Sequence, residues 1–145
     1  MIAYVDTSAL VKLFVTEEAS EATREMLLGA WITGTGLLTR AELGAALARG
    51  ARRDLISETE ALNAQEQIET IWPSWVHIAV DENLVSRAES LAWEYKLRGY
   101  DAIHLASAMT WQERIEHQLV LATFDRELWE AAQGACMEVW PEELS

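Results

Sequence analysis

Short apolar runs alternating with longer segments of helical period narrow most sharply what this chain can fold into. Ile2–Val5, Trp31–Thr33, Val76–Val80, Leu119–Ala122 and Met137–Trp140 have the length and apolar character of strands. Between them, helices are expected over Ala9–Phe14, Ala19–Leu28, Leu37–Arg49, Ser57 to about Trp72, Leu84–Leu97, Asp101 to about Ile115, and Arg126–Gln133. Such alternation specifies an α/β fold, a parallel sheet of about five strands with helices on both faces. Crossovers in such a sheet are right-handed, and ligands bind beyond the carboxyl ends of its strands.

Local signals agree with this division. Ser57-Glu58-Thr59-Glu60 has capping-box spacing, in which each end satisfies a free backbone donor. Asp81 follows a strand and is assigned to N-capping alone. Gly34-Thr35-Gly36 reads as a turn, and Pro73 and Pro141 mark element ends. With no repeat, low-complexity tract or linker, 145 residues are read as one domain, 1–145. A chain of that length can bury roughly two thirds of its unfolded surface, enough for a core without staples. The single cysteine, Cys136, forms no internal disulfide and reads as a buried structural thiol in a reducing compartment. Asp6 comes too early for a signal peptide, there is no basic leader, and no apolar stretch reaches membrane length. A soluble, cytoplasmic protein without a membrane partner is the expectation.

The strand-end rule directs attention to carboxylates. Asp6 directly follows Ile2–Val5, Asp125 follows Leu119–Ala122 through Thr123-Phe124, and Asp101 precedes Ala102–Ala108. Each suits an N-cap as well as a site. Glu42 shares a helical stripe with Leu38, Ala45 and Ala46, where a charge is costly unless Arg40 or Arg49 pairs with it or a cation binds it. Gathered at one sheet edge, these acids would repel one another and raise their own pKa values. Magnesium, which takes oxygen ligands and keeps several waters, resolves that repulsion.

Four segments then resemble the PIN-domain nucleases, most closely the VapC-type ribonuclease toxins. They are Tyr4–Lys12, Thr39–Leu43, Gly99–Ala106 and Leu121–Leu128, in the family's order and spanning nearly the whole chain. The resemblance implies a single PIN-like domain with a parallel central sheet between helices. It implies RNA hydrolysis with magnesium or manganese, leaving 5′-phosphate and 3′-hydroxyl ends. A cognate VapB-type antitoxin and a toxin homodimer are implied as well. By position, Asp6, Glu42, Asp101 and Asp125 match the acidic quartet, as metal ligands and catalytic residues. Thr7, Ser8 and Thr123 match the polar positions beside it. The interval from Asp101 to Asp125 is longer than the family's usual one, so Glu113 or Glu116 is the alternative fourth acid.

Charge bears on the substrate. Eleven basic residues against twenty-four acidic ones give a net −13, unlike the basic footprint of most polyanion binders. A basic or amphipathic antitoxin segment filling the metal groove would answer part of that excess. Candidate phosphate-positioning residues are Lys12, Arg49, Arg52 and Arg53, with Lys96 and Arg98 as a second small patch. His77, His104 and His117 lack the local ligand pairs a zinc site wants, and His104 reads as a helix-packing histidine. The Trp residues are assigned mostly to core or interface. Gly44, Ala45, Ala46 and Ala48 permit close helix approach, inside the fold or across a dimer. A phosphoaspartyl enzyme is disfavoured because Ser8 stands where a second Asp belongs, and a receiver domain because the last lysine, Lys96, comes too early. A non-catalytic binding module and an RNA-processing PIN nuclease remain as alternative functions.

Overall fold

In the computed structural model, which describes residues 1–145, β1 (Ile2–Val5) lies at the middle of a five-stranded sheet and is buried along its whole length. Its parallel neighbours are β2 (Ile32–Gly36) and β4 (Val120–Ala122), with Ala3 opposite Thr33 on one side and Val120 on the other. The edge strands are β3 (Val76–Ile78), beside β2, and β5 (Glu138–Trp140), beside β4. The order β3-β2-β1-β4-β5 means that the chain winds outward on one side of β1, then returns to build the other. Loops leaving β1 and β4 therefore diverge, which opens a crevice at their carboxyl ends.

Seven α-helices cover the sheet: α1 (Thr7–Phe14), α2 (Ser20–Leu28), α3 (Thr39–Arg52), α4 (Glu58–Ile71), α5 (Glu82–Tyr95), α6 (Gly99–Ile115) and α7 (Arg126–Gly134). Strand side chains alternate between faces, so β1 serves two cores at once. Tyr4 packs with Leu91, Leu105, Leu121 and Leu128, beneath α5, α6 and α7. Val5 packs on the opposite face with Leu10, Leu43, Leu47 and Ile68, from α1, α3 and α4. No helix is long and apolar enough to cross a membrane.

The capping signals act as expected. Ser57 and Glu60 form the reciprocal capping box, and the Asp81 carboxylate accepts from the Leu84 N–H at 2.9 Å. Three expectations need correction. The glycines at 34 and 36 lie within β2 rather than in a turn. A Cβ at Gly34 would sit 2.7 Å from two ring carbons of Trp111, and one at Gly36 would sit 3.0 Å from the Tyr4 hydroxyl, so these are close-packing glycines. Helix α6 starts at Gly99 after Arg98, which makes no side-chain cap bond, so Asp101 lies inside the first turn and does not cap it. Cys136, in the link from α7 to β5, is exposed rather than buried and has a left-handed backbone (φ 61°). Trp31 and Trp93 are also exposed, whereas Trp72 and Trp111 are buried. The small residues Gly44, Ala45 and Ala48 face outward, with nothing near a Gly44 Cβ, so they serve no close helix approach within this chain.

Candidate active site

Asp6 is the first residue beyond β1, and its N–H donates to the Ala122 carbonyl of β4 at 3.1 Å. Its carboxylate caps α1, accepting from the Ala9 N–H at 2.9 Å. The Thr123 hydroxyl donates to it at 2.6 Å, and Ser8 Oγ lies 2.8 and 2.9 Å from its two oxygens. Those hydroxyls in turn accept from the β4 exit, Ser8 from the Phe124 N–H at 2.8 Å and Thr123 from the Asp125 N–H at 3.0 Å. The Asp125 carboxylate then caps α7 through the Leu128 N–H at 3.0 Å. Capping and convergence thus coexist: the bonds that start α1 and α7 hold two acids at the crevice.

Glu42 reaches the same place from α3. Neither Arg40 nor Arg49 pairs with it; Arg40 stacks on Trp72 instead. Its partner is His104 of α6, whose Nε2 donates to Oε1 at 2.8 Å. His104 Nδ1 lies 2.8 Å from the Tyr4 hydroxyl, so this buried imidazole ties α3, α6 and β1 together. Sequence reasoning missed that role. A histidine one turn beyond Asp101 signals a position near the crevice, but a partner 62 residues away in sequence leaves no local mark.

Asp101 and Asp125 meet more closely. Together with Glu127, which sequence reasoning did not single out, they offer carboxylate oxygens all within 4.8 Å of one another. Arg98 lies against all three, 3.3 Å from Asp101, 3.2 Å from Asp125 and 3.9 Å from Glu127. Asp6, Glu42, Asp101 and Asp125 all line one cavity of about 860 Å³, with Thr7, Ser8, Arg49, Arg98 and Tyr100. Thr123 sits just behind it, bonded to Asp6. Lys12 is outside this lining, held by Glu17 (3.3 Å) and the Glu18 carbonyl (2.9 Å). Arg52 and Arg53, at the end of α3, are also outside it, as is Glu113, which pairs with Arg87 at 2.6 Å, and Glu116.

The electrostatics follow from burial and crowding. Burial pushes the Asp6 pKa up, against the opposing pull of His104 and the Thr123 hydrogen bond. Asp101 is raised by burial and by the charge of Asp125, with Arg98 opposing. For His104, burial lowers the pKa, but the Glu42 hydrogen bond and the Asp6 charge outweigh it, and the net direction is up. Each group therefore binds protons more readily folded than unfolded, so between the two pKa values stability falls as pH rises. Metal-free protein is expected to melt higher at about pH 5.5 than at about pH 7.5. The difference should shrink with Mn²⁺ present and in Asp6→Asn; thermal melts with an equal difference in all three would contradict this origin.

The donor set is composed of carboxylate and hydroxyl oxygens, which suits a hard cation rather than a soft one. Thr7 lines this cavity, and its hydroxyl is buried without a hydrogen-bond partner. Arg98 already supplies a positive charge among the acids. On these observations the residues fit a divalent cation.

Fold and cavity together define an α/β domain with an acidic site at the carboxyl ends of its central strands. A family model for the PIN domain matches residues 3–134, and the chain belongs to that family. It is 34% identical over 143 residues to Ribonuclease VapC45 of Mycobacterium tuberculosis, covering 99% of this chain and 97% of that relative. Among solved structures it is similar to PAE2754 from Pyrobaculum aerophilum, with a TM-score of 0.66, 24% identity, and coverage of 96% of this chain and 83% of that one. A toxin-antitoxin complex from Klebsiella pneumoniae matches with a TM-score of 0.65 and 19% identity over 99% of both chains. Those two likenesses concern the fold.

Proposed function

We propose that this chain is a divalent-metal-dependent endoribonuclease, the toxin of a VapBC-type toxin–antitoxin pair. The observation that carries the reading is the convergence of Asp6, Glu42, Asp101 and Asp125, from four separated segments, on one cavity beside the β1–β4 crevice. Relatives named as VapC ribonucleases, similar over nearly the full chain, support the substrate class.

In this reading, Asp6, Asp101, Glu42 and Asp125 hold Mg²⁺ or Mn²⁺ directly or through water. A bound ion of this kind supplies a more acidic attacking water and neutralises charge on the phosphate and leaving oxygen. The chain's own residues do the positioning. Ser8 and Thr123 fix the Asp6 carboxylate, so its orientation needs no rearrangement when substrate arrives. His104 holds Glu42 in the same way. Thr7 lines the cavity beside the acids, as one of the polar positions next to the quartet. Arg49, on the cavity wall, positions the substrate backbone, with Lys12, Arg52 and Arg53 as outlying contacts. Attack by water forms a new P–O bond, the P–O3′ bond breaks, and the 3′ oxygen leaves with a proton. A cognate antitoxin, in keeping with the toxin-antitoxin complexes of similar fold, is part of the proposal, and a toxin homodimer completes it. The chain is read as one domain acting in the cytoplasm.

The test uses a pool of structured RNAs with and without chelator, and a matched substrate carrying hydrogen in place of the 2′-hydroxyl beside the scissile bond. Chelation should abolish cleavage, and the 2′-deoxy substrate should still be cut. Loss of cleavage on the deoxy substrate would make the 2′-hydroxyl the nucleophile and exclude this mechanism.

A further inference from the structure

We propose that Arg98 is a resident counter-cation of the Asp101–Asp125–Glu127 group that a divalent ion displaces, and that the freed guanidinium then holds substrate phosphate at the cavity mouth. The inference rests on the metal-dependent reading above and adds a residue and a sequence of events to it.

Three observations carry it. The three carboxylates that approach one another within 4.8 Å are the same three that Arg98 contacts. An ion held by Asp101 and Asp125 would thus take carboxylates that the guanidinium now contacts, and two cations there would repel each other. The Arg98 contacts are long, 3.2–3.9 Å, and its side chain is 73% exposed, with no hydrogen bond to any group outside this cluster. A small doubly charged ion with a strong demand for oxygen ligands displaces such an exposed, single-charge partner. Finally, Arg98 lines the cavity together with Arg49, so a guanidinium leaving the acids remains tethered beside the substrate path. Phosphate is the anion it then meets, and Arg is suited to bidentate contact with it.

The order of events has a consequence that separates this role from simple support of the acids. Removing Arg98 strengthens metal binding and weakens RNA binding. A residue that only oriented the carboxylates would weaken both when lost. Because the side chain is exposed and makes no cap bond to α6, Arg98→Ala should fold normally.

The experiment titrates Mn²⁺ calorimetrically into metal-free wild type, Arg98→Ala, Arg98→Lys and Asp101→Asn, with thermal melts to confirm folding. Arg98→Ala should bind Mn²⁺ roughly three- to tenfold more tightly than wild type, and Arg98→Lys should fall between. At saturating Mn²⁺, Arg98→Ala should raise KM for RNA about tenfold, by more than it lowers kcat. Equal or weaker Mn²⁺ binding by Arg98→Ala, with binding still lost in Asp101→Asn, overturns the displacement and leaves the metal site standing. Tighter Mn²⁺ binding with unchanged KM overturns the phosphate role. If wild type and Asp101→Asn bind Mn²⁺ alike, the metal-dependent reading fails, and the Arg98 proposal falls with it.

Discussion

Asp6→Asn is expected to lower RNA cleavage by about three orders of magnitude or more while leaving the chain folded. The size follows from the several kcal/mol that a positioned metal contributes to phosphoryl hydrolysis. Asparagine caps helices as well as aspartate does, so the bond from the Ala9 N–H that starts α1 survives. Its amide nitrogen would face the Thr123 hydroxyl, which has lone pairs enough to accept from it as well as from the Asp125 N–H. The substitution also removes a buried negative charge whose pKa is raised by desolvation. Metal-free Asp6→Asn should therefore melt at least as high as wild type near neutral pH. Cleavage of a labelled RNA and a thermal melt on the same samples check both halves. Activity within tenfold of wild type would remove Asp6 from the chemistry, and a large fall in melting temperature would make its loss a folding defect.

His104→Ala should cost both stability and rate. The imidazole is buried and bridges Glu42 and Tyr4, so its loss takes away a buried partner of the Tyr4 hydroxyl and the anchor of the half-buried Glu42 carboxylate. Leaving buried polar groups unpaired costs about 1–3 kcal/mol, visible as a lower melting temperature or denaturant midpoint. Freed from its anchor, Glu42 should lower Mn²⁺ affinity or activity by about 10- to 100-fold, the usual scale for supports of metal ligands. His104→Gln keeps one donor toward Glu42 and should lose less of both. If His104→Ala melts lower yet retains wild-type Mn²⁺ affinity and kcat, the histidine is a packing residue alone.

How much of this was legible beforehand depended on distance along the chain. Element types were readable because their signals are local: Ile2–Val5 is a short apolar run, and Ser57 with Glu60 satisfies donors within one turn. Parallel pairing followed from the alternation. The strand order did not, and that order explains why Asp6 and Asp81 differ. Both follow a strand and cap the next helix, but β1 is central and borders the crevice, while β3 is an edge strand two places away. Asp81 is absent from the cavity for that reason. Gly34 and Gly36 look like a turn in sequence because the ring of Trp111 and the hydroxyl of Tyr4, which require them, arrive from remote segments. The same holds for the partners of Glu42 and Asp125: His104 and Arg98 come from α6 and its N-terminal boundary, and only folding brings them within bonding distance.

Diffraction from crystals grown or soaked with Mn²⁺, recorded at the metal's absorption edge, reaches the underlying physics without passing through activity. The ion should appear in the 860 Å³ cavity, about 2–2.5 Å from carboxylate oxygens of Asp6, Asp101 or their neighbours. A crystal whose only Mn²⁺ lies on another face, with Asp101 and Asp125 still bridged by Arg98 and RNA nonetheless cut, would contradict the account.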